Sequence, residues 1–270
     1  MIYVTGSNGL IGKELTKKLK RFIPISYRNS EPIIDFESNS ILIHLSSSIT
    51  TRNTIEDFQF SYINDVEIPL KIFKQYLEKN PNGKIIFLSS AGDLHTSENN
   101  TVVTENSVVK PNSLYGTHKI LLENYIKLLH NQYKFSSFIF RVTNVYGSSI
   151  SSERVNGLVD KLLTTDEKIK IYANLDTEIN IIHIEDLINL LLKAINKKVK
   201  NENHVFLVGN ETFKILEIIK IISKIKNLDV VVQKNKNDVK FINLDCTKVQ
   251  KYFSWNCEHY LKNLENRGTL

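Results

Sequence analysis

The chain has 270 residues, of which 41% are hydrophobic and 24% charged, and it carries a net charge of +6. This length allows one large domain or a cofactor domain with a smaller partner, and the two cysteines without a CxxC pair argue against a disulfide framework or a structural zinc site. The lysines form no dense basic run, which argues against nucleic-acid binding; they fit either a solvated surface or attraction for a polyanion such as a nucleotide diphosphate.

Strand-like and helix-like segments alternate from the start of the chain. Short apolar runs predict strands at residues 2–4, 22–27, 33–34, 41–45, 84–88 and 137–142. Helical periodicity predicts helices at residues 10–19, 66–77 and 115–129. This alternation predicts an α/β fold, a Rossmann-like doubly wound parallel sheet with helices on both faces.

The pattern loosens after about residue 146. Helices are predicted at residues 159–163, 186–195 and 215–225, and strands at 179–184, 204–208 and 230–232. We therefore expect a dinucleotide-binding domain at 1–146 and a smaller α/β substrate domain at 147–270, some segments of which return to the first domain.

The N-terminus leads from Met1 directly into an apolar strand pattern, without the basic stretch and cleavage site of a signal peptide. No segment approaches the roughly 20 apolar residues needed to span a bilayer. We therefore expect a cytoplasmic protein.

A glycine-rich turn with the spacing GxxGxxG joins the first strand to the first helix. Glycine lets the backbone approach a ligand closely, and a helix N-terminus offers N–H groups and a positive dipole end to a pyrophosphate. The strand before the turn and the helix after it favour a dinucleotide site over a simple tight turn. The candidate cofactor residues here are Gly6, Asn8, Gly9, Leu10, Ile11 and Gly12.

The residues after the second strand bear on which dinucleotide is bound. An acid there would accept a hydrogen bond from the adenosine ribose and repel a 2′-phosphate, but the chain has Arg28 instead. Arg28 could pair with that phosphate, so NADP(H) is favoured and NAD stays possible. The alternative is that Arg28 is an ordinary solvated arginine. Asp35, after the predicted third strand, is a positional candidate for the adenine amine.

Tyr115 and Lys119 are four residues apart on a predicted helix and therefore lie on one face. A lysine ammonium favours the phenolate of a nearby tyrosine, which can then exchange a proton with a carbonyl or alcohol near neutral pH. Upstream, Ser89 and Ser90 end a predicted strand, where a hydroxyl can donate to a substrate oxygen; for Ser89 we favour a structural role.

Together these segments resemble the extended short-chain dehydrogenase/reductase superfamily, in particular the NAD-dependent epimerase/dehydratase family. The resemblance covers nearly the whole chain, and each motif is short while their order and spacing are specific. The matching segments are 5–12, 43–47, 87–90, 104–105 before Pro111, 115–119, 141–147, 182–186, 245–248 and Trp255.

The resemblance implies a nucleotide-diphosphate sugar as substrate and a homodimer. It implies that Tyr115 transfers the proton, that Lys119 holds the nicotinamide ribose, and that Ser90 is the catalytic hydroxyl residue. Further residues are implied at the cofactor (Leu45, Ser46, Ser47) and at the substrate (Ser90, Asn144 and, more weakly, Asn156).

Departures from the family pattern limit which of the family's activities fit this sequence. Ala91 and Gly92 stand where the family's 4,6-dehydratases place Asp-Glu, and the acid after the second strand that many 4-epimerases use is absent. Asp65 replaces the usual asparagine before Val66. Asn180 follows Ile179 where an Arg-Asp pair is usual, so a diphosphate-binding arginine is missing; Arg154 or nearby lysines could compensate.

We therefore expect an NADPH-dependent reductase of a nucleotide-linked 4-keto-6-deoxy sugar, in the synthesis of cell-surface polysaccharide precursors. The alternative is a nucleotide-sugar 4-epimerase with the same residues. A hypothesis of another class is a non-catalytic dinucleotide-sensing protein on the same fold. The seven histidines show no paired ligand spacing, so no metal site is expected.

Overall fold

The computed structural model describes residues 1–49, 55–92, 94, 101–147, 157–233 and 242–266. Its first half begins with β1 (Ile2–Thr5), α1 (Leu10–Lys18), β2 (Ile23–Ile25) and β3 (Ile41–His44). A helical segment follows as a 3-10 turn (Ile55–Asp57), α2 (Phe58–Tyr62), a π-helical turn (Ile63–Glu67) and α3 (Ile68–Lys79). The half ends with β4 (Lys84–Ser90), β5 (Val102–Val103), α4 (Leu114–Tyr133), β6 (Ser136–Val142) and β7 (Asn144–Tyr146).

Most helices and strands of the second half are short. They are α5 (Leu158–Thr164), β8 (Ile169–Ile171), β9 (Glu178–His183), α6 (Ile184–Asn196), β10 (Asn203–Val208), β11 (Glu211–Lys214), α7 (Ile215–Ser223), β12 (Val230–Val232), β13 (Asn243–Leu244), α8 (Thr247–Phe253) and a 3-10 helix (Leu261–Asn266). None of the helices in the described part of the chain is long and apolar enough to cross a membrane.

A six-stranded parallel sheet organises the molecule, in the order β10-β6-β4-β3-β1-β2. The predicted α/β fold with a doubly wound parallel sheet is confirmed. From β1 the chain moves to one side to form β2 and then crosses to the other side to form β3. Because the order reverses there, the carboxyl ends of β1 and β3 flank a crevice, the usual ligand position in such sheets.

Two apolar cores explain why the strands are apolar on both faces. On one face α1, α6 and α8 pack through Leu15, Leu187 and Phe253 against strand residues such as Phe138. On the other face α3 and α4 pack through residues such as Phe73. The buried faces of these helices account for the helical periodicity in the sequence.

A smaller part of the second half lies beside the main sheet. It contains the three-stranded sheet β11-β9-β7 and the parallel pair β12-β8, around a third core that includes Leu162, Phe213 and Ile218. β10 joins the main sheet beside β6, and α6 and α8 cover that sheet. Segments of the second half thus lie against the first, and the division at residue 146 stays a prediction.

The strand predicted at residues 33–34 is wrong, because this segment has no strand partner and Ile33 is 99% exposed. The peptide groups of this segment form hydrogen bonds with a side chain instead of with a strand. Gln75 accepts from the Ile34 N–H (3.1 Å) and donates to the Pro32 carbonyl (3.1 Å). Pro32 also lacks the N–H that a strand ladder uses. β2 is therefore the edge of the main sheet.

Candidate active site

A cavity of about 660 Å³ opens at the carboxyl ends of β1, β3, β4 and β6, where the strand order reverses. Its walls combine the glycine turn before α1, the segment after β3, the end of β4, the first turns of α4 and the start of β7. Residues from five separate parts of the sequence therefore face one volume, which is large enough for a small-molecule ligand.

The glycine turn lies close to the segment after β3. Gly6 has a φ of +70°, and a Cβ on it would lie 2.7 Å from the Ser46 nitrogen. A Cβ on Gly12 would collide with the Gly6 carbonyl oxygen. α1 begins directly after Gly9, and glycine has no side chain that could cap the helix. The N-terminus of α1 therefore lines the cavity without a capping side chain. Such an exposed helix N-terminus fits a pyrophosphate.

The three predicted catalytic residues line this cavity together. Ser90 ends β4 and is 8% exposed, while Tyr115 and Lys119 lie in the first two turns of α4. The Lys119 ammonium lies 5.4 Å from the centroid of the Tyr115 ring and donates to the Leu88 carbonyl (3.1 Å). A hydroxyl, a phenol and an ammonium thus surround one pocket, as proton transfer to a carbonyl requires.

A buried ion pair connects α4 to the sheet beneath it. Glu123, one turn after Lys119, pairs with Arg141 of β6 (2.7 Å between Oε2 and Nη2), and both side chains are almost fully buried. The Ser89 hydroxyl donates to the same carboxylate (2.6 Å). Ser89 therefore has a structural contact, and its neighbour Ser90 lines the cavity.

Burial lowers the pKa of Lys119 to about 8, while the charges of Asp65 and Glu123 act in the opposite direction. The neighbouring His44, whose Nδ1 lies 2.9 Å from the Thr5 hydroxyl, also has a pKa lowered by burial and by Lys119. At neutral pH Lys119 is therefore still largely protonated, and its charge is held close to Tyr115.

The lowered pKa of Lys119 predicts how stability depends on pH. Between the folded value of about 8 and the unfolded value of 10.5, the unfolded chain binds more protons than the folded one. Stability should therefore rise with pH across this window, by at most about 3 kcal/mol, and this contribution should be constant below pH 8. Chemical unfolding at several pH values gives the difference in the free energy of unfolding between wild type and Lys119→Met. A difference that stays flat from pH 8 to 10 would contradict the prediction.

A second, smaller cavity of about 140 Å³ adjoins the first and shares Gly6, Asn8, Arg28 and residues 46–48 with it. Arg28 is exposed and follows Tyr27, whose hydroxyl lies 2.6 Å from Ser46 Oγ. Arg28 follows β2, where the adenosine ribose of a dinucleotide lies in such folds. Leu45, Ser46 and Ser47, which follow β3 and were predicted to bind the cofactor, also line the larger cavity.

Asp35 does not line either cavity. It is exposed, and its carbonyl accepts a hydrogen bond from the Tyr3 hydroxyl (3.2 Å). The prediction for Asp35 depended on a third strand at residues 33–34, and that strand is absent from the described chain. We therefore leave Asp35 out of the proposed site.

On the substrate side, Asn144 begins β7 and lines the larger cavity, and its amide donates to the Asn180 carbonyl (3.0 Å). Asn180, where the family pattern has Arg-Asp, is 2% exposed. Its side chain accepts from the Asn210 N–H and donates to Thr212. It does not supply the missing cation. The other two predicted substrate residues, Arg154 and Asn156, lie outside the described residues.

Among the cavity residues that the sequence did not lead us to place at the site are Asp65, Thr143 and Asp160. Asp160, in the first turn of α5, is buried and accepts from the Gly147 N–H (2.6 Å). A single acid on a helix carries no motif, so only the fold reveals it. For Asp65 one signal was available, namely its replacement of the usual asparagine.

His183, Glu185 and His259 also lie close together, with ligand atoms within 4.8 Å of one another. The two imidazole rings stack with centroids 4.5 Å apart and planes 13° apart. A ring nitrogen binds a metal through a lone pair in its own plane, so two stacked rings are poorly oriented for one ion. His183 Nδ1 also accepts from the Glu185 N–H. We assign no metal to this cluster, and the absence of a metal site stays a prediction.

Comparison with known proteins adds independent information. The family model for the NAD dependent epimerase/dehydratase family matches residues 2–209. The chain is 26% identical to a putative UDP-glucose 4-epimerase of Methanocaldococcus jannaschii, over 97% of this chain and 95% of that protein. It is 22% identical to the dTDP-4-dehydro-6-deoxyglucose reductase of Escherichia coli, over 77% and 76% of the two chains.

Among solved structures, the fold is similar to that of MoeE5 in complex with UDP-glucuronic acid and NAD. The TM-score is 0.83 at 16% sequence identity, covering 97% of this chain and 95% of that one. At this identity the similarity shows a shared fold.

Proposed function

The chain belongs to the NAD-dependent epimerase/dehydratase family, and from this we propose that it is an enzyme that uses NADPH to reduce a 4-keto-6-deoxy sugar carried by a nucleoside diphosphate. One observation carries the proposal: Ser90, Tyr115 and Lys119 line the same cavity as the glycine turn and Asn144. A dinucleotide with its pyrophosphate at α1 would extend toward these three residues, and Asn144 lies where a sugar nucleotide could contact it.

Each residue of the site has a separate role in the proposed reaction. A reduced dinucleotide, when bound, would supply the hydride that the keto carbon needs. Tyr115 donates a proton to the carbonyl oxygen, so that the C=O bond becomes a CH–OH group. Ser90 donates a hydrogen bond to that oxygen and polarises it. Lys119 holds the nicotinamide ribose and keeps a positive charge beside Tyr115.

Reduction is favoured over dehydration because Ala91 and Gly92 follow Ser90, and neither provides an acid or base for elimination. It is favoured over epimerisation because residues 26–30, directly after β2, include Arg28 and no acid, which suits a cofactor with a 2′-phosphate. The similarity to the Escherichia coli reductase supports the same choice.

The test is NADPH oxidation by the purified protein with a nucleotide-linked 4-keto-6-deoxy sugar, after a spectrum of the protein has been checked for retained cofactor. We expect an empty protein and substrate-dependent loss of NADPH absorbance. Binding of NADPH without oxidation, across several such sugars, would contradict a reductase.

A nucleotide-sugar 4-epimerase is the second candidate. The similarity to the Methanocaldococcus jannaschii protein extends over nearly both chains and favours it. An epimerase oxidises and re-reduces the sugar in place, so it keeps its cofactor. Tightly retained NAD, and conversion of a nucleotide sugar into its 4-epimer without added cofactor, would support this candidate over the reductase.

Cofactor choice gives a separate prediction for Arg28. A charge-assisted hydrogen bond to the 2′-phosphate is lost in Arg28→Ala, so the Kd for NADPH should rise about tenfold while the Kd for NADH changes little. Titration of both cofactors measures this. Arg21→Ala is the matched control, because Arg21 is exposed just before β2 and lines neither cavity. Equal NADPH affinity in wild type and Arg28→Ala would contradict the assignment.

The remaining parts of the proposal are a homodimer and a role in cell-surface polysaccharide precursors, which the family resemblance implies, and a cytoplasmic location, which was expected from the sequence pattern. Phe58 and Tyr62 of α2, which pack against His118 of α4, and Leu128 of α4 are exposed apolar residues, and they offer a surface for a second copy of the chain.

A further inference from the structure

Asp65 places a carboxylate in the wall of the dinucleotide cleft. It lies in the π-helical turn before α3, is 7% exposed and lines the smaller cavity beside Arg28. Its oxygens accept from the Ser48 N–H (2.6 Å), the Ser48 hydroxyl (3.0 Å) and the Ser47 hydroxyl (3.3 Å). Ser47 and Ser48, which it contacts, line both cavities.

The charge of Asp65 contributes to the pKa of one side chain near each end of the cleft, Tyr27 and Lys119. Burial raises the pKa of the Tyr27 phenol at the end near Arg28, and the Asp65 charge adds to that effect. Burial lowers the pKa of Lys119 at the other end, and the Asp65 charge opposes that effect. A dinucleotide that fills both cavities passes close to Asp65, because this residue lines the smaller of the two.

Hydrogen bonds from serine hydroxyls and a backbone N–H stabilise the carboxylate but do not cancel its charge. No salt bridge in the described part of the chain involves Asp65. A dinucleotide brings at least two negative phosphates into this cleft. A negative side chain in a partly desolvated wall therefore repels the cofactor, and the repulsion is larger for NADPH because of its 2′-phosphate.

We propose that the Asp65 carboxylate loosens the dinucleotide so that the oxidised cofactor leaves after each turnover. This rests on the proposed reductase function, since a reductase exchanges its cofactor in every cycle and an epimerase does not. Asp65 also anchors Ser47 and Ser48, and the two roles can be separated. Asparagine has nearly the same shape and still accepts the Ser48 N–H, but it carries no charge.

The experiment measures Kd and dissociation rate for NADP⁺, NADPH and NADH with wild type, Asp65→Asn and Glu67→Gln, at low and high salt. Glu67→Gln is the matched control, because it removes one charge from the same turn at a residue that lines neither cavity. We expect Asp65→Asn to bind NADP⁺ and NADPH about tenfold more tightly at low salt and NADH by less, with slower release and a smaller gain at high salt. Glu67→Gln should match wild type.

Unchanged or weaker binding by Asp65→Asn, with wild type binding normally, would overturn this inference and leave the proposed function standing. An equal gain in Glu67→Gln would also overturn it, because the effect would then come from overall charge. If none of the proteins bound any of these dinucleotides, the proposed function would fail and this inference with it. Asp65→Ser, which is uncharged and smaller, provides the same comparison if Asp65→Asn does not fold.

Discussion

Replacing Tyr115 by phenylalanine is expected to lower kcat by about 10²–10⁴-fold, the range found when a positioned proton donor is removed. The ring keeps its place in the first turn of α4, near the Lys119 ammonium, and only the hydroxyl is lost. The Kd for NADPH should stay close to the wild-type value, because the proposed ribose contact is made by Lys119.

The measurement is steady-state NADPH oxidation together with a cofactor titration. Tyr125→Phe is the matched control, since Tyr125 lies on the same helix, is 39% exposed and lines neither cavity. Full activity of Tyr115→Phe would remove this residue from the mechanism and favour the non-catalytic dinucleotide-sensing alternative. A matching loss of cofactor binding would show instead that Tyr115 acts mainly on the cofactor.

Replacing Glu123 by alanine should be the most destabilising single change considered, at about 3–5 kcal/mol. Glu123 is fully buried, and its removal leaves the Arg141 guanidinium, itself 2% exposed, without its carboxylate partner. The Ser89 hydroxyl also loses its acceptor. Because Glu123 lies one turn after Lys119, local loosening of α4 should reduce activity as well.

The free energy of unfolding in urea tests this, with Arg141→Met and the double variant Glu123→Leu/Arg141→Met completing a cycle. The double variant should be clearly more stable than Glu123→Ala, since the Arg141 guanidinium is then removed together with the carboxylate that balances it. A loss below about 1 kcal/mol for Glu123→Ala would mean that water or another group replaces the carboxylate, against the buried geometry.

Much of the fold was predictable because its signals are local. Strands buried on both faces, such as β4 and β6, read as continuous apolar runs, and α6 shows its buried face as a helical period. The same local logic went wrong at residues 33–34. Two isoleucines there resemble a strand, but strand formation needs a neighbouring strand, and Gln75 binds the peptide groups instead.

Only part of the candidate site, likewise, could be predicted from local signals in the sequence. The glycine turn and the Tyr115–Lys119 spacing are short motifs whose geometry depends on one turn of backbone, so they could be placed before the fold was known. The structural role of Asn180 could not be predicted from its position in the sequence. The sequence showed that the arginine of the family pattern is missing there. It did not show that Asn180 is buried beneath Asn144, because that depends on β7 pairing with β9.

The sequence by itself thus determined the alternation of strands and helices, the parallel sheet and the residues of the glycine turn and of the proposed proton-transfer pair, because each depends on neighbours within a few positions. Only the tertiary structure decided that Asp65 lines the proposed cofactor cleft and that Glu123 pairs with Arg141. Their partners lie 17 and 18 residues away along the chain. Such contacts form only when separate helices and strands are packed together, and no periodicity or motif encodes them.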